Sequence, residues 1–279
     1  MTTTCLLSTT YFGPIQWYQK LYRYDRVLIE AHESYQKQTY RNRCLIATTQ
    51  GVQALTIPIE HLPLTIDHSA LTIEHLPLTI DHSALTIEHL PLTIDHSALT
   101  IEHLPLTIDH SALAIDKPDA QPMFNVQWSM VNGQSSMFNS QSSMFNVLLS
   151  DHGNWRHLHW QALQSAYGDS PFFEYYEDDL RPFFTERRWE RLIDFNTDIC
   201  QTICRLLDIH PNIGFTEKYS KNGDFIDFRE VIRPKHPLPD PDFRPRRYWQ
   251  VFEQKHGFLP NLSILDLLFN MGPESIFFL

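Results

Sequence analysis

The chain has 279 residues, 42% of them hydrophobic and 13% aromatic, and a formal net charge of −11. This composition excludes a globally disordered chain, and no apolar run of about 18 residues predicts a transmembrane helix. The 4 cysteines are too few for a disulfide scaffold, and the start of the sequence lacks the pattern of a secretory signal, so we expect a cytoplasmic protein.

The sequence before the repeats predicts strands and one helix. Short runs rich in Leu, Ile, Val and Thr indicate strands, and Pro14 suits the first turn of a helix. A turn around Gly51 joins two further runs and predicts a hairpin. In chain order, the predicted elements are a strand at 5–9, a helix at about 14–23, a strand at 26–31 and a hairpin of 44–47 with 53–59.

Residues from about 60 to 146 are repetitive. The 14-residue sequence SALTIEHLPLTIDH occurs three times without change between 69 and 110, and QSSMFN occurs twice between 134 and 146. A proline in every 14-residue unit opposes a helix, because proline lacks a backbone N–H and clashes with the preceding turn. We predict one domain over 1–279 with a flexible or irregular insertion at 60–146.

The repeat sequence is compatible with two interpretations of the insertion, a metal site or a duplicated loop. Each half-unit ends in Glu-His or Asp-His, and such carboxylate–imidazole pairs could hold a metal ion such as zinc. The units are identical at every position, however, whereas selection for ligands alone would let the spacers diverge. This favours duplication within a tolerated loop, and we predict no metal site. A second repetitive part covers 123–147.

The sequence after the insertion predicts mainly helices. One helical pattern starts near Asn154, where Asn154 or Asp151 suits an N-cap, and stops at Gly168. Prolines recur through 233–247 and predict an extended loop. The predicted elements are a strand at 145–149, helices at 155–167, from 171 and at 183–208, and helices near 248–256 and 263–271. The fold class is α/β (or α+β), with a mixed sheet from the N-terminal half and a helix-rich C-terminal half.

Several long segments resemble the WbqC-like protein family. They include YFGPIQWYQKL at 11–21, ESYQKQTYRNRCLIAT at 33–48, LLSDHGNWRHLHWQALQSAYGDSPFFEYYEDDL at 148–180, DFN at 194–196 and YWQVFEQKHGFLPNLSILDLLFNMGPE at 248–274. The family is known mainly from bacterial gene clusters for surface polysaccharide (O-antigen). Its biochemistry is poorly defined, so the resemblance implies a pathway rather than a reaction.

His159 is the candidate catalytic residue. It matches the histidine that the family places between its Trp and Tyr, here Trp155 and Tyr167. Histidine titrates near neutral pH and can act as a general base or acid. His159 also lies on the apolar stripe of its predicted helix, so a hydrogen-bonded core histidine is the alternative.

Five further residues are candidates for substrate binding. Arg41, Asn42 and Arg43 match the family's Asn-Arg segment, and guanidinium groups suit a phosphate or a carboxylate. An ion pair or a backbone anchor at the start of a strand is the alternative. Tyr11 follows the first predicted strand, where it could line a ligand site. Asn196 belongs to the DFN segment, with a structural role as the alternative.

The predicted function is a transferase that moves an acyl or aminoacyl group onto a sugar nucleotide or lipid-linked glycan. The implied partner is a nucleotide sugar or an acyl donor. The cofactor is unknown. The sequence has no Gly-rich phosphate loop and no Gly-x-Ser-x-Gly motif for a nucleophilic serine. The basic and aromatic stretch at 244–249 indicates an anionic-substrate contact or a surface loop rather than nucleic-acid binding. The alternative function is a non-catalytic binding or scaffold protein of the polysaccharide assembly machinery.

Overall fold

The computed structural model describes residues 3–61 and 143–279, and there the α/β class and the helix-rich C-terminal half are confirmed. The 14-residue repeats at 69–110 lie outside the described residues. The strands are β1 (Thr4–Ser8), β2 (Arg26–Glu30), β3 (Arg43–Thr48), β4 (Gly51–Thr56), β5 (Ile59–His61), β6 (Val147–Leu149), β7 (Ile213–Phe215) and β8 (Ile226–Asp227). The helices are α1 (Ile15–Arg23), α2 (Trp155–Tyr167), α3 (Phe173–Leu180), α4 (Pro182–Thr185), α5 (Leu192–Leu206), α6 (Glu253–His256) and α7 (Ile264–Met271).

The main sheet of the described residues has four parallel strands in the order β7-β2-β1-β8. Cys5, Leu6 and Leu7 of the central strand β1 are fully buried, as expected for a parallel strand covered on both faces. Because all four strands run in one direction, their carboxyl ends form one edge of the sheet. Ser8 and Glu30 mark this edge on β1 and β2. Open α/β sheets usually bind ligands at this edge.

The predicted hairpin is confirmed as β3 and β4, which pair antiparallel from Arg43↔Thr56 to Thr48↔Gly51. Gly51 has a φ of +104°, a backbone conformation that L side chains rarely adopt. The glycine therefore permits the tight turn that the sequence predicts. The hairpin places Arg43 at the start of β3, directly after the candidate residues Arg41 and Asn42.

Two predicted helices are shorter in the structure. The helix predicted at 183–208 is divided into α4 and α5, because the segment between them is extended and pairs with β6. The backbone N–H of Leu149 donates to the Glu190 carbonyl, which would be unavailable inside a continuous helix. The helix predicted near 248–256 is confined to α6, since Tyr248 and Gln250 are buried in an extended segment before it. None of the helices in the described residues is long and apolar enough to cross a membrane.

The proline-rich segment 233–247 is fixed to the polar face of α1. Lys20 Nζ lies 2.7 Å from Asp240 Oδ2, and both side chains are almost fully buried. Gln16 also donates to Asp240 Oδ2, at 2.8 Å. These contacts explain why polar residues of α1 lie in the interior and why the segment follows one path across the helix.

A buried carboxylate, that of Asp266, joins three parts of the fold. Its oxygens accept hydrogen bonds from the hydroxyls of Tyr167 (2.8 Å) and Tyr248 (2.5 Å) and from Gln250 Nε2 (2.9 Å). The Tyr167 hydroxyl also accepts the backbone N–H of Ala47. Burial raises the pKa of Asp266 despite these donors. The network connects α2, α7, β3 and the segment before α6.

The described ends of the predicted insertion are neighbours in space. β5 and β6 pair antiparallel with Ile59↔Leu149, Glu60↔Leu148 and His61↔Val147. Antiparallel strands can be joined by a short turn. We propose that the residues between them form an insertion that the described fold does not need.

Deletion of residues 62–142, with a short Gly-Ser linker from His61 to Ser143, is expected to leave a folded protein. The free energy of unfolding should rise by about 2 kcal/mol, because each halving of the loop length lowers the closure cost by about 0.6 kcal/mol. Urea unfolding of the deletion variant and the full chain measures the difference. A loss of cooperative unfolding would contradict the proposal.

Candidate functional site

The loop after β1 has a strained backbone. Phe12 has a φ of +42°, a left-handed conformation that costs a non-glycine residue roughly 1–3 kcal/mol. Its carbonyl accepts a hydrogen bond from Ser263 Oγ at 2.7 Å, which holds the loop in place. A Cβ at Gly13 would lie 2.5 Å from Thr10 Oγ1, so only glycine fits there. Such strain is typical of functional sites at the carboxyl ends of strands.

The N-terminus of α1 is occupied by the protein itself. The N–H of Ile15 donates to the carbonyl of Leu262 at 3.0 Å, and the N–H of Gln16 donates to Asn261 Oδ1 at 2.9 Å. Nucleotide-binding α/β folds use this position to bind phosphate. Here these two amide groups already have acceptors, so a ligand site has to lie elsewhere along the sheet edge.

A small cleft lies at the carboxyl end of β1. It is lined by parts of 7–10, 39–41 and 228–232, together with Trp17, and its volume of about 10 Å³ holds about one water molecule. A larger ligand therefore needs the cleft to open. The Thr10 hydroxyl is buried and has no hydrogen-bond partner among the described residues. The cleft therefore combines aromatic and hydroxyl-bearing side chains.

Arg41 reaches this cleft and is held rigidly. Its Nε donates to Glu33 Oε1 at 2.8 Å, and its Nη2 donates to Glu33 Oε2 at 2.5 Å and to Ser8 Oγ at 2.9 Å. Both members of the pair are buried. A bidentate pair fixes the plane of a guanidinium group, so Arg41 keeps one orientation. These bonds use Nε and Nη2, so Nη1 is the nitrogen with no acceptor among residues 3–61 and 143–279.

Arg229 is a second arginine in the cleft, and the sequence analysis missed it. Its Nε and Nη2 bind the Asp227 carboxylate at 3.0 and 2.7 Å, and its Nη1 lies 3.4 Å from Glu30 Oε2. β8 has only two residues, too few for a strand pattern that would have placed Arg229 at the sheet edge. The carboxylates of Asp227, Glu30 and Glu33 partly offset the charge of the two arginines.

Tyr11 and His159 come together behind the cleft. The Tyr11 hydroxyl lies 3.0 Å from His159 Nδ1. Burial lowers the pKa of His159 to about 4, although a hydrogen bond to the backbone of Thr56 opposes this shift. Burial also raises the pKa of Tyr11 far above its ordinary value. His159 is thus neutral at pH 7. A neutral imidazole has one N–H and one acceptor nitrogen, and the ring is hydrogen-bonded to the Tyr11 hydroxyl at Nδ1 and to the backbone of Thr56.

The remaining candidates hold the chain around Arg41. Asn196 Nδ2 donates to the Arg41 carbonyl at 2.8 Å, and Asn42 Nδ2 donates to the Ile57 carbonyl at 2.7 Å. Arg43 donates to the hydroxyl of its cross-strand partner Thr56 at 3.0 Å, and it is not among the cleft-lining residues. Of the six sequence candidates, Arg41 therefore has its side chain in the cleft, and the other five lie around or behind it.

The described residues define an α/β protein with a polar cleft at the carboxyl edge of a parallel sheet. The family model of the WbqC-like protein family matches residues 9–74 and 127–232. The chain belongs to this family. An uncharacterized protein of Mycobacterium tuberculosis, Rv1507c, is 25% identical over 150 residues, which cover 46% of this chain and 65% of that protein. No solved structure matches the chain.

Proposed function

We propose that this protein is a transferase of surface-polysaccharide assembly that moves an acyl or aminoacyl group onto a sugar nucleotide or lipid-linked glycan. The pathway comes from the family resemblance. The observation that supports substrate binding is the rigid Arg41, which faces a cleft at the edge where α/β sheets bind ligands. In this proposal Arg41 binds an anionic part of the donor or acceptor, and the protein acts in the cytoplasm.

Acyl transfer requires that the acceptor amine or hydroxyl attack the acyl carbonyl and lose a proton as the leaving group departs. In the proposal, His159 takes this proton at Nδ1, the ring nitrogen that is hydrogen-bonded to the Tyr11 hydroxyl. Neither Tyr11 nor His159 lines the cleft, so Tyr11 has to turn away before an acceptor can reach the imidazole. The catalytic role of His159 stays a prediction.

A non-catalytic binding protein of the same machinery is the second candidate function. The observation that favours it is the environment of His159, whose ring is hydrogen-bonded to Tyr11 and to the Thr56 backbone within the core and whose pKa is lowered to about 4. A binding protein needs the cleft and Arg41 but no general base. Surface-glycan composition distinguishes the two functions.

Replacement of Arg41 by Gln is expected to weaken binding of UDP-N-acetylglucosamine, or of an acyl-coenzyme A donor, by about tenfold or more. A hydrogen bond to a charged group is worth roughly 1.5–3 kcal/mol. Isothermal titration calorimetry on the purified protein measures the change.

Arg43→Gln is the matched control and should bind like wild type, because Arg43 lies outside the cleft. Urea unfolding of each variant checks that a loss of binding does not reflect unfolding, because Arg41→Gln also breaks the buried pair with Glu33. Equal losses in the Arg41 and Arg43 variants, or no binding by wild type, would contradict the proposed role of Arg41.

Mass spectrometry of surface glycan tests the reaction. A deletion strain is complemented with wild type, His159→Ala or Arg41→Gln, with circular dichroism to confirm that each variant folds. A constant mass missing from each repeat unit in the deletion strain would identify the transferred group and support the transferase. Unaltered units in shorter or fewer chains would support the binding protein instead. An unchanged glycan in the deletion strain would overturn both functions.

A further inference from the structure

A cluster of basic and aromatic side chains lies exposed near the C-terminal end of the chain. We define it as the basic-aromatic surface, formed by Arg244, Arg246, Arg247, Trp249 and Phe277. The exposed fraction is 51% for Trp249 and 68% for Phe277, and the three arginines are also exposed. Large aromatic side chains beside several cations are costly to leave in water, and such groups commonly mark an interaction site.

Contacts beneath this surface hold its two segments together. Arg246 Nη1 donates to the Phe277 carbonyl at 2.5 Å. The rings of Tyr248 and Phe278 pack edge to face with centroids 5.7 Å apart. Tyr248 is buried on its other side by the Asp266 network, so Trp249, the next residue, is fixed facing outward. The surface is therefore prearranged.

The local charge is opposite to that of the whole chain. Residues 243–249 contain three Arg and no Asp or Glu, whereas the full chain has a net charge of −11. Glu253 pairs with Arg247 at 2.6 Å, so Arg244 and Arg246 contribute most of the positive potential. An acidic protein is repelled from an anionic partner unless it presents such a surface.

We propose that the basic-aromatic surface binds the surface of a lipid bilayer that contains anionic phospholipid. Trp249 and Phe277 enter the interfacial layer, where aromatic rings are favoured, and the arginines contact lipid phosphates. This combination fits a bilayer because it offers both an apolar layer and a dense array of negative charges. The inference is independent of the transferase proposal and requires no membrane-spanning helix.

Cosedimentation of the full-length protein with vesicles tests this proposal. Binding is expected to vesicles of phosphatidylglycerol and phosphatidylcholine and to be lost with phosphatidylcholine alone. Each Arg near an anionic membrane surface is worth about 1 kcal/mol, so Arg244→Gln and Arg246→Gln should each weaken binding by about fivefold. Salt at 0.5 M should release the protein. Equal binding to both kinds of vesicle, or no binding to either, would overturn the proposal.

A second set of variants tests whether the side chains of Trp249 and Phe277 contribute to vesicle binding. The double variant Trp249→Ala/Phe277→Ala should lose most vesicle binding, because it removes the inserted rings without touching the core. Tyr175→Ala is the matched control, since Tyr175 is 71% exposed on the acidic helix α3. Brominated lipid should quench tryptophan fluorescence in wild type and less in Trp249→Ala. Equal vesicle binding by the double variant and wild type, or equal quenching in wild type and Trp249→Ala, would show that the aromatic rings do not insert.

Discussion

Asp266→Ala is expected to lower the free energy of unfolding by about 4 kcal/mol. The change removes the acceptor of two tyrosine hydroxyls and of Gln250 Nε2, and each buried donor left without a partner costs roughly 1–3 kcal/mol. Asp266 is fully buried, so water does not replace the lost acceptor easily. Urea unfolding followed by circular dichroism measures the loss.

Tyr248→Phe is the matched control for the Asp266 variant. It removes one donor and leaves the carboxylate bonded to Tyr167 and Gln250, so a loss of about 1–2 kcal/mol is expected. If Asp266→Ala cost no more than Tyr248→Phe, the carboxylate would not organise the network. Loss of cooperative unfolding in Asp266→Ala would instead agree with its position between α2, α7 and β3.

Stability is expected to fall by about 2 kcal/mol between pH 7.5 and pH 5 because of His159. Its pKa is 6.5 in the unfolded chain and about 4 in the fold, where burial disfavours the charged imidazole. Between these values the unfolded state binds one more proton than the folded state. The stabilisation is therefore complete above pH 6.5 and is lost as the pH falls towards 4.

His159→Gln isolates this contribution, since the other titrating groups are the same in both proteins. The difference in unfolding free energy between wild type and variant should shrink by about 2 kcal/mol from pH 7.5 to pH 5. Urea unfolding at both pH values provides the four free energies. A constant difference would show that His159 titrates normally in the fold and is accessible to protons, as a general base would be.

Local patterns predict the parts of the fold that depend on neighbouring residues in the chain. β1 and β2 are continuous apolar runs, and the β3–β4 turn needs the conformational freedom of Gly51. The bounds of α2 also match the helical spacing of its own sequence, but the Asn154 side chain makes no capping hydrogen bond and Gly168 keeps a right-handed helical backbone. The family resemblance makes Arg41 a candidate binding residue, but it does not predict the bidentate pair with Glu33 that fixes the guanidinium group.

Contacts between residues far apart in the chain determine the parts of the fold that local patterns do not predict. The break between α4 and α5 exists because Arg191 pairs with β6. The residues of this segment show no local sequence pattern that predicts the break. β7 and β8 become strands only by pairing with β2 and β1. Arg229 could not be assigned to the site for the same reason, since its place at the sheet edge depends on the pairing of β8.

The pairing of β5 with β6 has a consequence for how this gene can vary. Because His61 and Val147 are partners in one ladder, the number of 14-residue units between them does not alter the distance that the chain has to close. One unit more or fewer changes the closure cost by only about 0.1 kcal/mol. Alleles that differ in copy number should therefore encode equally stable proteins, and replication slippage in the repeats can proceed without selection from folding.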